Sequence, residues 1–247
     1  MLVRHLGILL SLIGFSMPAF ALELGPEQHG TMRFGASTLY HQNLQLGMAL
    51  NYRFGLHDLL DRQVEYPQYT TFDLLGIEAQ YFPDSNRVLV EDFTIVKIVR
   101  LPPMTQTWNQ LSWSVSAGGK TVREGLCAYC GAGEVSGGIG LSVQPVEAVP
   151  VDLWLLAEGN VLGSPAFSGF FLKPSVGPRG GIRFRLGPEL NGMVSGVYRY
   201  QFDATDDMVL EFETRWRWAF SRNWALDGRW IWRQDGWVLS AGLLLYD

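Results

Sequence analysis

The sequence is poor in histidine, lysine and cysteine, and beyond its first twenty or so residues it has no long hydrophobic run. Each shortage excludes something. Four histidines and two cysteines in 247 residues leave little material for a site of several His or Cys ligands. Lysine occurs only as Lys97, Lys120 and Lys173, and the formal net charge is -5, so there is no basic footprint for nucleic acid. Beyond residue 21 every apolar stretch is cut after a few residues by charge or glycine. A transmembrane helix needs about 20 apolar residues in a row. If the mature chain meets a bilayer, only a closed β-barrel can satisfy its backbone there. Nothing in the motifs calls for a cofactor.

The one apolar run lies at the N-terminus. Arg4 and His5 precede Leu6 to Phe15, and Ala19-Phe20-Ala21 follows. A short basic region, a brief apolar core and small residues flanking a larger one make a secretory signal. A buried N-terminal helix is the alternative. Residues 1–21 are therefore read as a signal peptide and 22–247 as the mature domain.

What remains is dominated by alternation with a period of two. In Asn43 to Gly55, Leu44, Leu46, Met48, Leu50, Tyr52 and Phe54 share one face, and Gln45, Gly47, Ala49, Asn51 and Arg53 the other. The pattern returns in Val194–Phe202, Met208–Phe220, Trp224–Arg233 and, more briefly, Ile182–Leu186. Further strands are expected at Thr31–Tyr40, Thr71–Phe82, Arg87–Arg100, Trp108–Ala117, Glu134–Val143, Val151–Asn160, Phe167–Pro174 and Gly236–Tyr246. Turn residues such as Pro83 to Asn86, Gly118-Gly119 and Asp235-Gly236 separate them. Most of the clearest segments exceed the common strand length of about five or six residues and suit a tilted bilayer-spanning strand of about nine to eleven. The expected fold is all-β: a transmembrane, antiparallel, up-and-down barrel of about twelve strands, with ten or fourteen also compatible.

A soluble sandwich also alternates. Aromatic placement separates the two cases. Trp216, Trp218 and Phe220 gather at one end of their segment, and Trp230 and Trp232 at one end of theirs with Trp224 at the other. That suits two interfacial girdles around an aliphatic belt. The charged faces then look into the lumen, bringing Arg183, Arg185, Arg199, Glu211, Glu213, Arg215, Arg217 and Arg229 there. Mixed signs favour a salt-bridged filling over an anion-attracting conduit. At the C-terminus, Gly242, Leu244 and Tyr246 resemble the alternating, aromatic-ending strand of such barrels.

Catalytic material is thin. His29 reads as solvated and His41 as a turn residue. His57 is followed by Asp58 and Asp61, a set that could hold a metal or a base, but one histidine in a loop falls short of a metal site. The connection His57 to Thr70 is read as an extracellular loop or a short helix. Cys127 and Cys130 form a CxxC pair, read first as a loop disulfide, with a redox centre or half a metal site as alternatives. No serine stands in a nucleophile-elbow context.

Three segments carry a family likeness: Gly55 to Asp61, Leu126 to Cys130 with the glycine-rich run to Gly140, and Val176 to Gly181. They resemble the C-terminal barrel region of large proteobacterial proteins. Those proteins bear an N-terminal papain-like periplasmic domain of the type found in the Lnb lipoprotein N-acyltransferases. The catalytic domain has no counterpart in this sequence, so the resemblance implies a barrel without that chemistry. The expectations are an outer-membrane location, contact with outer-membrane lipid, and a non-enzymatic scaffold, anchor or partner for a separately encoded papain-like periplasmic protein. A small anion or solute channel and an outer-membrane lipid-modifying enzyme are the alternatives.

Overall fold

The computed structural model describes residues 31–61, 69–104, 110–124, 127–146, 149–167, 171–187, 189–202 and 208–247, leaving aside the side chains of 56, 123, 124, 127 and 128. The expected signal-peptide cut and His29 lie outside these residues. Twelve strands follow one another: β1 (Met32–His41), β2 (Gln45–His57), β3 (Thr70–Phe82), β4 (Arg87–Arg100), β5 (Ser112–Glu124), β6 (Cys127–Val143), β7 (Val151–Gly163), β8 (Leu172–Leu186), β9 (Leu190–Gln201), β10 (Met208–Ala219), β11 (Trp224–Arg233) and β12 (Gly236–Tyr246). Each pairs antiparallel with its sequence neighbours, and β1 pairs with β12. Closure leaves no open edge, the condition for crossing hydrocarbon with strands.

The alternation is what sorts the two faces. On β2, Leu46, Met48 and Leu50 are more than half exposed, whereas Ala49 between them is 3 % exposed. On β10, Phe212, Trp216 and Trp218 face out while Arg217 is buried. Apolar outside and charged inside is the inverse of a soluble core, and it suits a lipid solvent. Trp216, Trp218, Phe220 and Trp224 form an outward aromatic band at the end where both termini lie. Tyr40, Tyr81, Tyr198 and Phe202 face out at the opposite end, where Tyr40 also stacks on Trp237 at 5.4 Å between ring centroids. Gly228 leaves room for one of the girdle indoles. Its cross-strand partner is Trp216, and a Cβ at 228 would come within 2.2 Å of that ring.

Two expectations are corrected. Gly118 and Gly119 lie within β5, not in a turn, and β5 and β6 run to Glu124 and from Cys127. Glycine there marks close approach: a Cβ on Gly118 would come within 2.1 Å of the Phe93 carbonyl oxygen. The segments Phe167–Pro174 and Ile182–Leu186 are not two strands, because Leu172–Leu186 is a single β8. Pro178 does not break it, since proline lacks only a donor and keeps an extended φ. Leu244 and Tyr246 are buried in the lumen, and Leu243 and Leu245 face out.

An even strand number places both termini at one end of the barrel. The two longest connections, 58–69 and 101–111, lie at that same end.

Candidate functional site

The chain does something unusual after β2. Register shifts between Arg53 and Phe54 and between Gly55 and His57 interrupt its pairing with β3, and bulges of this kind bend a strand. Residues Asp58 to Asp61 then turn into the mouth of the barrel instead of away from it. Local chemistry fixes the turn. The Asp58 amide donates to Asp61 Oδ2 at 2.9 Å, the Leu60 amide to Asp58 Oδ1 at 3.2 Å, and the Asp61 amide to the Asp58 carbonyl at 3.0 Å. The Asp61 carboxylate thus caps the Asp58 amide and the Asp58 carboxylate the Leu60 amide, as short polar side chains do at turns. The Leu59 amide donates to Thr71 Oγ1 at 3.2 Å, so all four amides of the segment have acceptors. No helix forms among the described residues of this connection.

Leu59 packs with Leu101, Trp154 and Leu156, and Leu60 is 1 % exposed. The carboxylates face four arginines of the wall. Asp58 Oδ2 lies 3.0 Å from Arg53, 3.1 Å from Arg33, 3.2 Å from Arg217 and 3.9 Å from Arg215. Asp61 pairs with Arg217, and with Arg53 at 3.4 Å, and accepts from the Tyr246 hydroxyl at 2.7 Å. Asn191 Nδ2 donates to the Leu60 carbonyl at 3.1 Å. Asp73 sits 2.9 Å from Arg53, and Asp227 accepts from Arg217 Nε at 2.9 Å. The plug therefore draws on β1, β2, β3, β9, β10 and β12 together.

The charges balance. Four guanidinium groups (Arg33, Arg53, Arg215, Arg217) meet four carboxylates (Asp58, Asp61, Asp73, Asp227). Burial alone would push the Asp58 carboxyl up; Arg217, Arg53, Arg215 and Arg33 overcome that and hold it well below the usual carboxylate range. In the His57-Asp58-Asp61 run the two carboxylates face arginines. Among the described residues no group of three or more His, Cys, Asp and Glu could hold a metal, and both carboxylates are taken up by arginine. His57 ends β2 opposite Phe72.

Farther inside, the lumen is filled by more ion pairs. Arg179 and Arg199 converge on Glu158, Arg183 bonds Asp152 at 2.9 Å, and Lys120 bonds Glu134 at 3.0 Å. Arg183 and Arg185 lie over the Tyr69 ring at 4.6 and 5.9 Å. Arg229 bridges Glu213 at 2.6 Å and Glu78 at 3.2 Å, the latter a third of the way round the barrel, and Arg233 joins Glu211 to Glu91. All eight charges expected in the lumen thus take part in ion pairs or ring contacts inside it. Arg33, Glu158 and Asn191 have no signal in the sequence reading, and Tyr246 appears there only as the aromatic of the C-terminal strand. Arg33 and Glu158 stand alone between apolar neighbours, and the phase of Tyr246 depends on the register with β1.

At the far end, two apolar clusters cover the interior: Leu39, Leu44, Ala49, Phe82, Leu89 and Val238, and Val122, Ala132, Leu162 and Phe167. His41 caps the first turn, its Nδ1 accepting from the amides of Asn43 at 3.0 Å and Leu44 at 3.3 Å. Cys130 is disulfide-bonded and lies in β6, so the CxxC pair belongs to a strand end and not to a loop; the Cys127 side chain is outside the description. Between the plug and these clusters lies a polar cavity of about 220 Å³, lined in part by Asn51, Lys97, Ser114, Arg179 and Glu213.

Solved structures share the architecture. The NanC porin aligns with a TM-score of 0.53 at 5 % identity, covering 87 % of this chain and 99 % of that one. The KdgM porin in complex with disordered oligogalacturonate gives 0.48 at 7 % identity, covering 86 % and 98 %. Omp33 of Acinetobacter baumannii gives 0.41 at 10 % identity, covering 90 % and 100 %. At such identities the likeness is one of fold. The chain has the closed, twelve-stranded antiparallel fold of an outer-membrane porin barrel. No curated protein matches the sequence. The family described as Domain of unknown function (DUF7840) matches residues 25–246, and the chain belongs to it.

Proposed function

We propose that this barrel is a non-enzymatic scaffold or anchor in the outer membrane, with its lumen shut, and that a separately encoded papain-like periplasmic protein docks at the end carrying the termini. The observation that carries the reading is the Asp58–Asp61 plug, which closes that end with buried ion pairs to three strands and hydrogen bonds to three more. On this reading a lumen filled by its own side chains replaces a core and carries no current. The connections after β2 and β4 leave the barrel at the same end, so on this reading the loop expected to be extracellular faces the periplasm. Planar-bilayer recording of the purified barrel is the test. Silence is expected; steps of porin size in the unmodified protein sink the reading. Hydrolysis of a lipid or peptide by the purified barrel argues equally against it.

The second reading is a narrow channel for anions or small solutes that opens when the plug leaves. The fold likeness to the NanC porin speaks for this reading more than for the first, as does the polar cavity behind the plug. Deleting residues 58–61 separates the two. A channel then conducts, whereas a filled scaffold stays silent because the Glu158, Glu213 and Glu211 pairs still occupy the lumen.

A further inference from the structure

The wall arginines around the plug are arranged as an anion site that the chain's own loop occupies. Arg33 comes from β1, Arg53 from β2, and Arg215 and Arg217 from β10. All four bring a guanidinium nitrogen within 3.9 Å of a single oxygen, Asp58 Oδ2. Four like charges from three strands do not converge on one point unless something negative holds them there, because their mutual repulsion in a poorly solvated interior is large. Among the described wall residues, Asp73 and Asp227 are the carboxylates in ion-pair contact with these four arginines. Four positive against two negative leaves two positive charges, and the plug contributes two negative ones, Asp58 and Asp61.

We propose that this arginine cage is a binding site for a small doubly charged oxyanion, of the sulfate, phosphate-ester or dicarboxylate kind, and that Asp58 and Asp61 are an intramolecular mimic of that ligand. The site and the plug then compete. A dianion satisfies the cage as the two carboxylates do, and guanidinium forks match tetrahedral and planar oxyanions alike. The Tyr246 hydroxyl and Asn191 Nδ2, freed from Asp61 and the Leu60 carbonyl, add two neutral donors to the same place. A monoanion such as chloride leaves one positive charge uncompensated in a buried setting. The inference holds whether the barrel conducts or only anchors a partner, since it concerns what the wall binds and not what passes.

The test uses the full mature barrel folded in detergent micelles, with sulfate as the ligand and chloride at matched ionic strength as the control. Hydrogen exchange is followed at the amides of residues 58 to 61, all of which are hydrogen-bonded in the docked plug. Sulfate is expected to speed their exchange at least tenfold over chloride, with strand amides unchanged. The Asp58→Asn/Asp61→Asn variant removes the mimic and keeps the shape. Calorimetry should show it binding sulfate at least tenfold tighter than the parent. Adding Arg53→Gln and Arg217→Gln to that variant should abolish the binding. If plug exchange is the same in sulfate and chloride, the arginines are an internal latch only and the proposal is overturned. Sulfate binding that survives loss of Arg53 and Arg217 overturns it as well. Should the double variant not fold, the exchange comparison in the parent protein decides alone.

Discussion

Replacing Asp61 with alanine should weaken the barrel more than any change to a charge nearer the water. Asp61 is 1 % exposed and pairs with Arg217, itself fully buried. Removing one member of a buried pair costs about 3–5 kcal/mol, because the other charge is left without compensation. Here Arg217 keeps Asp58 and Asp227 within 3.2 and 2.8 Å, which favours the lower end, about 3 kcal/mol. The Tyr246 hydroxyl and the Asp58 amide also lose their acceptor, at about 1 kcal/mol each. Undocking of the plug lets water reach these groups and limits the sum, so the expected loss is about 3–5 kcal/mol. Urea unfolding from lipid vesicles, followed by tryptophan fluorescence, measures it, and an SDS gel with and without boiling confirms the folded starting state. Glu211→Ala is the comparison. Its partner Arg233 and Glu211 itself are 26 % and 35 % exposed at the side chain, so that pair is worth at most about 1 kcal/mol. A loss below about 1 kcal/mol for Asp61→Ala, or equal losses for the two variants, refutes the claim that the plug is held by buried charge.

Other outcomes follow from the same geometry. Leu50→Arg puts a charge on the lipid face in the middle of β2, where Leu50 is 66 % exposed, and should cost about 2–4 kcal/mol in vesicles; an unchanged unfolding midpoint would contradict the lipid-facing assignment. Gly228→Val forces the Trp216 ring aside, with an expected loss of about 1–3 kcal/mol and a shift in tryptophan emission; wild-type stability and emission would mean the indole does not lie on Gly228. The Asp58 carboxyl is held below its ordinary value in the folded barrel, so its stabilisation is complete above the unfolded value and lost only as pH falls through the folded one. The plug should stay docked at about pH 4 and release below it, seen as new pepsin cleavage at Leu59-Leu60; release already at pH 5 to 6 would mean that Asp58 is not so held.

The wall was readable in the sequence because lipid imposes a simple rule on it. Every second residue must be apolar for the whole crossing, and an alternating run such as Leu46 to Phe54 admits no other phase once the charged residues are placed inside. β4, β11 and β12 fall where alternation and turn residues put them. The rule fails where neither face carries a side chain of strong preference. In β5 and β6 the glycines at 118, 119, 131, 133, 137, 138 and 140 erase the alternation, and Gly118-Gly119 imitates a turn. They are tolerated because cross-strand pairing on both sides, not side-chain patterning, fixes those strands. The direction of Tyr246 is not fixed by alternation, for another reason. With Leu243, Leu244 and Leu245 before it, either phase is apolar, and its inward direction is set by pairing with Arg33 on β1 and by the Asp61 carboxylate waiting inside.

The plug was visible only in part, and the reason is instructive about lumens. His57-Asp58-Leu59-Leu60-Asp61 stood out as charged residues in a connection, and a reading confined to neighbours in sequence assembles them into a ligand set. Their true partners are Arg33, Arg53, Arg215, Arg217 and Tyr246, of which only Arg53 is near in the chain. The Asp61–Tyr246 bond spans 185 positions, and nothing local encodes it. Strand order around a closed barrel does bring these residues together: β1 and β12 are neighbours only because the barrel closes. The plug therefore cannot dock until the seam has formed, since Arg33 and Tyr246 stand on its two sides. Docking in turn bridges that seam from within, through Asp58 on one side and Asp61 on the other. Asp58→Asn/Asp61→Asn should therefore raise amide exchange along the β1–β12 pair more than along β6–β7, which meets the plug through the packing of Leu59 on Trp154 and Leu156. Equal change in both pairs would mean that the plug stabilises the barrel as a whole and not its closure.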